Sequence, residues 1–137
     1  MRLVLDASVA LAWFLPETQE NTKLADRVAD LLMEPAGLAL VPVVFNLECA
    51  IALRRERNRG SLSESALQQA LNVLEQLPLE VHDVLHSTRG ILRLASEYQL
   101  HPSDALYVEL AASRRVPLAT LDETVRTLCR RKGLDLI

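Results

Sequence analysis

Short apolar runs alternate along the chain with longer stretches in which apolar and polar residues are mixed. The runs lie at 3–5, 38–41, 79–81, within 116–121, and at 134–137. Because they contain few polar residues, they are typical of parallel strands that are covered on both faces. The pattern therefore predicts five short, buried strands.

The intervening stretches have the residue spacing of amphipathic helices. They predict helices over 8–15, 18–33, 43–57 and 84–98, another that opens at Ser61 or Ser63, one that begins at 102–104, and one between Asp122 and Gly133. Ser8 is the expected cap of the first helix, and Pro16 is expected to stop it. Strands that alternate with helices predict a single three-layer α/β/α domain over residues 1–137, with a parallel five-stranded sheet.

Composition adds constraints on the core and on the cellular setting. Only 4% of the residues are aromatic although 50% are hydrophobic, so the core must be mainly aliphatic. The formal net charge of −3 disfavours a general nucleic-acid coating protein. Cys49 and Cys129 lack a CxxC spacing and are expected to be reduced thiols. No apolar run approaches the roughly 18 residues of a membrane span, so we expect a soluble, cytoplasmic protein with no membrane association.

Three aspartates occur where strands end or helices begin. Asp6 follows the first predicted strand, Asp122 follows the fourth, and Asp104 lies in the first turn of a predicted helix. The carboxyl ends of parallel strands share one edge of the sheet with the helix N-termini, so these side chains are expected to converge. Each aspartate could instead serve only its own helix, because aspartate stabilises a helix N-terminus. The residues alone leave both interpretations open.

Glu48 lies on the most apolar of the predicted helices. Its neighbours one turn away are Val44, Phe45, Ile51 and Ala52, and none of them is basic. A carboxylate among such residues is costly unless it is paired or binds a metal. Glu48 is therefore expected either to join the aspartates, or to reach solvent or a distant arginine.

Several carboxylates at close range indicate a cation. They repel one another, and this repulsion raises their pKa values unless a positive charge lies among them. Carboxylate oxygens suit Mg²⁺, with Mn²⁺ as a second possibility, and such a site can hydrolyse a phosphodiester with metal-activated water. The chain has only four glycines and no glycine-rich phosphate loop. His82, His86 and His101 share no metal-ligand spacing with a cysteine and are expected at the surface or at helix starts.

Four short segments together resemble the motifs of a known nuclease family. They are the segments 4–8 and 103–107, the helix that carries Glu48, and the segment 119–122. In their order and spacing they resemble PIN-domain nucleases. The size of the chain and the continuation 9–16 most resemble VapC toxins of bacterial type II toxin–antitoxin systems. The resemblance covers essentially the whole chain.

This resemblance implies a Mg²⁺- or Mn²⁺-dependent endoribonuclease of PIN-like fold. Asp6 and Asp104 would be the principal metal ligands, and Asp122 would complete the site directly or through water. Glu48 would bind metal or orient the attacking water. Ser8 and Thr120 would not bind the metal themselves but would hydrogen-bond the residues that do.

The resemblance also implies partners. A cognate VapB-type antitoxin would hold the toxin inactive, a homodimer is expected, and operator DNA would be bound only through the antitoxin. The Trp13–Phe14 pair is one possible wall of the antitoxin groove, or else simply part of the core. Three basic stretches could contact RNA phosphates or could be solvated helix ends; they are the arginines at 54, 55, 57 and 59, the pair at 114–115, and 130–132.

Two other functions are compatible with parts of the sequence. A non-catalytic PIN-like module could bind nucleic acid or an antitoxin without cleaving RNA. An aspartyl-nucleophile phosphatase also begins with an aspartate at a strand end. That enzyme class usually has a second aspartate two positions later, where this chain has Ser8. The intact set of four acids favours the nuclease.

Overall fold

A computed structural model of the chain describes residues 1–83 and 87–137. Its sheet has four strands, which are Arg2–Leu5 (β1), Leu38–Pro42 (β2), Leu79–His82 (β3) and Leu118–Ala119 (β4). The strands are all parallel and lie in the order β3-β2-β1-β4. The register pairs Val4 of β1 with Leu40 of β2 on one side and with Leu118 of β4 on the other.

Seven helices are present in the described parts of the chain. They are Ala7–Leu11 (α1), Gln19–Met33 (α2), Val44–Asn58 (α3), Glu64–Gln76 (α4), Thr88–Tyr98 (α5), Pro102–Arg114 (α6) and Glu123–Lys132 (α7). The predicted three-layer α/β/α architecture with a parallel sheet is confirmed. None of the described helices is long and apolar enough to cross a membrane.

The predicted fifth strand forms only a single bridge. Leu136 pairs in parallel with Leu118, and the N–H of Leu118 donates to the carbonyl of Asp135 at 2.9 Å. Because β4 itself has only two residues, it offers too short a partner for a longer ladder. The sheet therefore has four strands, with residues 134–137 running beside its β4 edge.

Two predicted helix starts differ from those in the structure. The cap of α1 is Asp6, whose carboxylate accepts a hydrogen bond from the N–H of Ser8, so the prediction that Ser8 is the cap was wrong. The helix also ends at Leu11, and the chain continues in turns toward Pro16.

The helix predicted over 84–98 begins at Thr88 with Ser87 as its cap; residues 84–86 lie outside the described residues.

The core is aliphatic and is centred on β1. The side chains of Leu3, Val4 and Leu5 are fully buried, as a strand in the middle of a covered parallel sheet requires. A second, smaller cluster packs α3 against α4 through Leu53 and Leu67. The larger cluster contains all three of these β1 side chains, and the residues described below follow the end of this buried strand.

The Trp13–Phe14 pair contributes to this packing. The indole Nε1 of Trp13 donates to the carbonyl of Ala25 in α2 at 2.8 Å. The two rings meet edge to face with their centroids 6.2 Å apart, and Phe14 packs against the second cluster. Packing accounts for both side chains, and a role in an antitoxin groove stays a prediction.

Gly37 provides a test of this packing, because β2 begins against the last turn of α2. A Cβ at position 37 would clash with the carbonyl oxygens of Leu31 and Leu32, which are backbone atoms and cannot move freely. We expect Gly37→Ala to lower the free energy of unfolding in urea by about 2 kcal/mol.

Gly60→Ala is the matched control, because a Cβ there would meet nothing within 4 Å although the backbone φ is +79°. It should cost about 1 kcal/mol. Equal losses of stability in the two variants would contradict the proposed close approach of α2 to β2.

Candidate active site

The order of the strands creates a crevice beside the end of β1. From β1 the chain proceeds to β2 and β3 on one side, whereas β4 returns to the other side of β1. The connections therefore diverge between β1 and β4, and ligands in parallel α/β sheets collect beyond strand ends at such a switch point. Asp6 follows β1 at this point, and Thr120 follows β4.

The carboxylate of Asp6 is held on both oxygens. Thr120, which is fully buried, donates from Oγ1 to Oδ2 of Asp6 at 2.6 Å, and the N–H of Ser8 donates to Oδ1 at 3.3 Å. Asp6 itself is only 6% exposed. Burial raises the pKa of Asp6, and the hydrogen bonds from Thr120 and Ser8 oppose that rise. Both predicted supporting residues therefore contact this carboxylate.

Thr120 and Ser8 also join the two strand ends to α7. The N–H of Asp122 donates to Oγ1 of Thr120 at 3.1 Å, and the N–H of Leu121 donates to Oγ of Ser8 at 3.2 Å. The carboxylate of Asp122 accepts from the N–H of Val125 at 3.0 Å and caps α7. Asp122 thus has the structural role of a cap, and its side chain also borders the crevice.

Glu48 lies half-buried on α3 and has an unexpected partner. The hydroxyl of Tyr107, on α6, donates to Oε1 of Glu48 at 2.6 Å. Burial raises the pKa of Glu48, the Tyr107 hydrogen bond lowers it, and the charge of Asp6 raises it further. The partner in the described structure is therefore a neutral hydroxyl rather than a distant arginine.

Asp104 shows that the carboxylates interact. It lies in the first turn of α6 and is partly exposed. Burial raises the pKa of Asp104 to about 6, with further upward contributions from Asp6 and Asp122 and a smaller one from Glu48. The charges of three other carboxylates therefore act on Asp104 in addition to its burial.

All four acids line one cleft of about 730 Å³. It runs along α3, and its wall combines acidic, apolar and basic side chains. Besides the acids, its lining includes Ser8, Leu11, Val44, Leu47, Ile51, Arg55, His101 and Ser103. The cleft therefore places a dense negative charge beside an apolar wall.

The donor set fits a hard divalent cation, because it consists of carboxylate oxygens whose repulsion a cation would relieve. The pKa of Asp104 is raised first by burial and then by the charges of Asp6 and Asp122, which is the direction that such repulsion gives. Within residues 1–83 and 87–137, however, no three His, Cys, Asp or Glu side chains are close enough as placed to hold a metal ion. A cation would therefore require the Asp104 side chain to rotate toward Asp6 and Glu48, which Thr120 and Tyr107 hold.

The cleft contains two basic residues: Arg55, which belongs to a basic stretch predicted to contact RNA, and His101, which the sequence did not single out for the site. His101 is the cap of α6, and its Nδ1 accepts from the N–H of Ser103 at 3.3 Å. Arg55 lies two helical turns after Glu48 on α3. The Pro102 that marks the helix start could have indicated His101, because a residue before the first helical turn lies at the same edge as Asp104.

Comparison with known proteins agrees with the fold. The family model described as PIN domain matches residues 3–131. Ribonuclease VapC3 from two strains of Mycobacterium tuberculosis, CDC 1551 / Oshkosh and ATCC 25618 / H37Rv, is 29% identical over 122 residues, covering 89% of this chain and 83% of the relative. The crystal structure of PAE2754 from Pyrobaculum aerophilum matches with a TM-score of 0.69 and 20% identity, covering 99% of this chain and 83% of that chain.

The matched span includes every acid of the cleft, from Asp6 to Asp122. The structural neighbour supports the same architecture over almost the whole chain. The resemblance to VapC proteins that the motifs indicate is likewise confirmed by the two relatives. The chain therefore belongs to the PIN domain family.

Proposed function

We propose that the protein is a Mg²⁺-dependent endoribonuclease, with Mn²⁺ as an alternative ion, and that it acts as the toxin of a toxin–antitoxin pair. One observation carries the proposal: four carboxylates from separate segments of the chain, those of Asp6, Glu48, Asp104 and Asp122, line one cleft. The similarity to Ribonuclease VapC3 supports RNA as the substrate.

Asp6, Asp104 and Asp122 would hold the metal, and Glu48 would bind it or orient the attacking water. A bound divalent ion supplies activation of water and stabilisation of the negative charge that develops on a phosphodiester. The residues of the chain would contribute by holding these carboxylates in position. Thr120 and Ser8 hold the Asp6 carboxylate, and the N-cap bond to Val125 restricts Asp122.

Arg55 and His101 would meet the RNA beside this acidic centre. The overall charge of −3 repels nucleic acid, so a local cation such as Arg55 is needed to bring a phosphate near the acids, and His101 would add a neutral hydrogen-bond donor. In His101 the Nδ1 atom accepts the capping hydrogen bond, which favours a proton on Nε2 and makes that atom a donor. Arg55 offers a guanidinium that can bind a phosphate through two hydrogen bonds.

The apolar wall of the cleft supports a protein partner as well. Leu47 and Ile51 are 61% and 54% exposed although both are large and hydrophobic. A VapB-type antitoxin segment that covered them would bury apolar surface and block the acids. The protein would form a homodimer, and operator DNA would be reached only through the antitoxin.

A non-catalytic binding module is the second candidate, because the acids as placed do not form a closed ligand set among the described residues. Calorimetric titration with Mn²⁺ separates the two functions. A nuclease should bind the ion, whereas RNA binding without any Mn²⁺ binding would favour the module.

Asp6→Asn tests the nuclease directly. The amide keeps the size of the carboxylate but removes a charged ligand, so kcat for RNA cleavage should fall by about 100-fold or more. EDTA should abolish cleavage by the wild-type protein, and added Mn²⁺ should restore it. Asp30→Asn, on the exposed surface of α2, is the control and should cleave normally. Unchanged cleavage by Asp6→Asn would overturn the mechanism.

Arg55→Ala tests the approach of RNA. Loss of one phosphate contact should weaken RNA binding and reduce the slope of log K against log salt by about one. Arg54→Ala is the matched control, because Arg54 is exposed on the same helix but is not among the residues of the cleft. Equal salt slopes for the two variants would remove Arg55 from the RNA site.

Asp104→Asn tests the repulsion among the acids. Since folding raises the pKa of Asp104 from 3.8 to about 6, the folded state binds its proton more tightly, and stability falls as the pH rises through that range. In EDTA at about pH 7.5 the variant should therefore melt higher than the wild type. Solvent screens this partly exposed group, so we expect roughly 1 kcal/mol, or about 3 °C.

Excess Mg²⁺ should reverse this order, because a cation stabilises only the protein that binds it. Asp26→Asn, at an exposed position of α2, is the control. Its melting temperature should equal that of the wild type both in EDTA and in excess Mg²⁺. A lower melting temperature for Asp104→Asn in EDTA would contradict the repulsion.

A further inference from the structure

The hydrogen bond between Tyr107 and Glu48 joins two elements that are far apart in the sequence. The residues are separated by 59 positions, and the donor–acceptor distance is 2.6 Å. Tyr107 is 1% exposed, so its ring is fixed by packing and cannot touch a substrate in the cleft. Its hydroxyl donates to Oε1 of Glu48, whose side chain borders the cleft.

The chemistry of the donor matters. An arginine at this place would neutralise Glu48 and compete with a cation for its carboxylate. A tyrosine hydroxyl holds one carboxylate oxygen by a hydrogen bond and leaves the negative charge intact. Because Oε1 is held, the direction of the second oxygen is also restricted.

The position of Tyr107 on α6 couples two of the acids. Tyr107 follows Asp104 by three residues, so both side chains lie on neighbouring positions of one helix face. Burial raises the pKa of the Tyr107 hydroxyl, the hydrogen bond to Glu48 raises it further, and the backbone of Ala7, the residue after Asp6, opposes that rise. One buried hydroxyl therefore lies between the segment that carries Asp6 and the side chain of Glu48.

We propose that Tyr107 is a positioning residue that fixes the Glu48 carboxylate toward the cation and the attacking water. This role rests on the proposed metal-dependent cleavage of RNA. Some groups orient a metal-binding carboxylate without touching the metal themselves. Their removal typically lowers metal affinity or activity by about 10- to 100-fold. Tyr107 acts only through Glu48.

The matched pair of variants is Tyr107→Phe and Tyr98→Phe. Tyr98 donates to Glu109 at 2.7 Å, is also buried, and lies away from the cleft. Each variant removes one tyrosine–glutamate hydrogen bond and leaves the ring. Circular dichroism melting would show that both variants fold.

We expect Tyr107→Phe to lower kcat for RNA cleavage by about 10-fold, with KM changed less than about 2-fold, whereas Tyr98→Phe retains wild-type kinetics. Calorimetry with Mn²⁺ gives a second readout, and we expect weaker binding by Tyr107→Phe. A fall in kcat at unchanged Mn²⁺ affinity also supports the role, with Glu48 then acting on water.

A double-mutant cycle separates positioning from general structural damage. In a Glu48→Ala background, Tyr107→Phe should change neither kcat nor Mn²⁺ affinity further, because the group it orients is gone. Additive effects, or a Tyr107→Phe variant that matches Tyr98→Phe, would overturn the positioning role alone. Wild-type protein that neither binds Mn²⁺ nor cleaves RNA would overturn the proposed function and this role together.

Discussion

The buried carboxylate of Asp6 is the constraint on which the rest of the site depends. It lies at the end of a fully buried strand, where water reaches little of it, and the hydroxyl of Thr120 holds it at 2.6 Å. This bond ties the end of β1 to the segment after β4. The backbone of that segment then places Asp122 at the cap of α7 and beside the same cleft.

Burial and mutual repulsion act together on the carboxylates of the cleft. Burial raises the pKa of Asp6, Glu48 and Asp104, and for Asp104 the neighbouring acids add to the effect. Such an arrangement lowers the stability of the protein at neutral pH without a compensating positive charge. The hydrogen bonds from Thr120 and Tyr107 hold the acids in place without neutralising them.

Most elements of the fold follow from local signals. The apolar runs place β1, β2 and β3, and the caps Thr18, Ser63 and Gly133 mark helix ends where they were expected or within a residue or two. The errors arose where a local signal competed with a tertiary one. Asp6 caps α1 in place of Ser8, whose hydroxyl instead accepts from Leu121, a contact across 113 residues. The fifth strand shrank to a bridge because β4 is so short.

The sequence by itself determined the α/β architecture, because apolar runs and helix spacing are local properties. It also showed that Glu48 has no basic neighbour on its own helix, which is a local property as well. Only the tertiary structure decided which groups meet. The crossing of the chain from β3 back to β4 brings Thr120 to Asp6, and the packing of α6 against the sheet brings Tyr107 to Glu48. The first contact joins residues that are 114 positions apart, and the second joins residues that are 59 positions apart. The spacing patterns of helices and strands act over a few residues and cannot predict contacts across such separations.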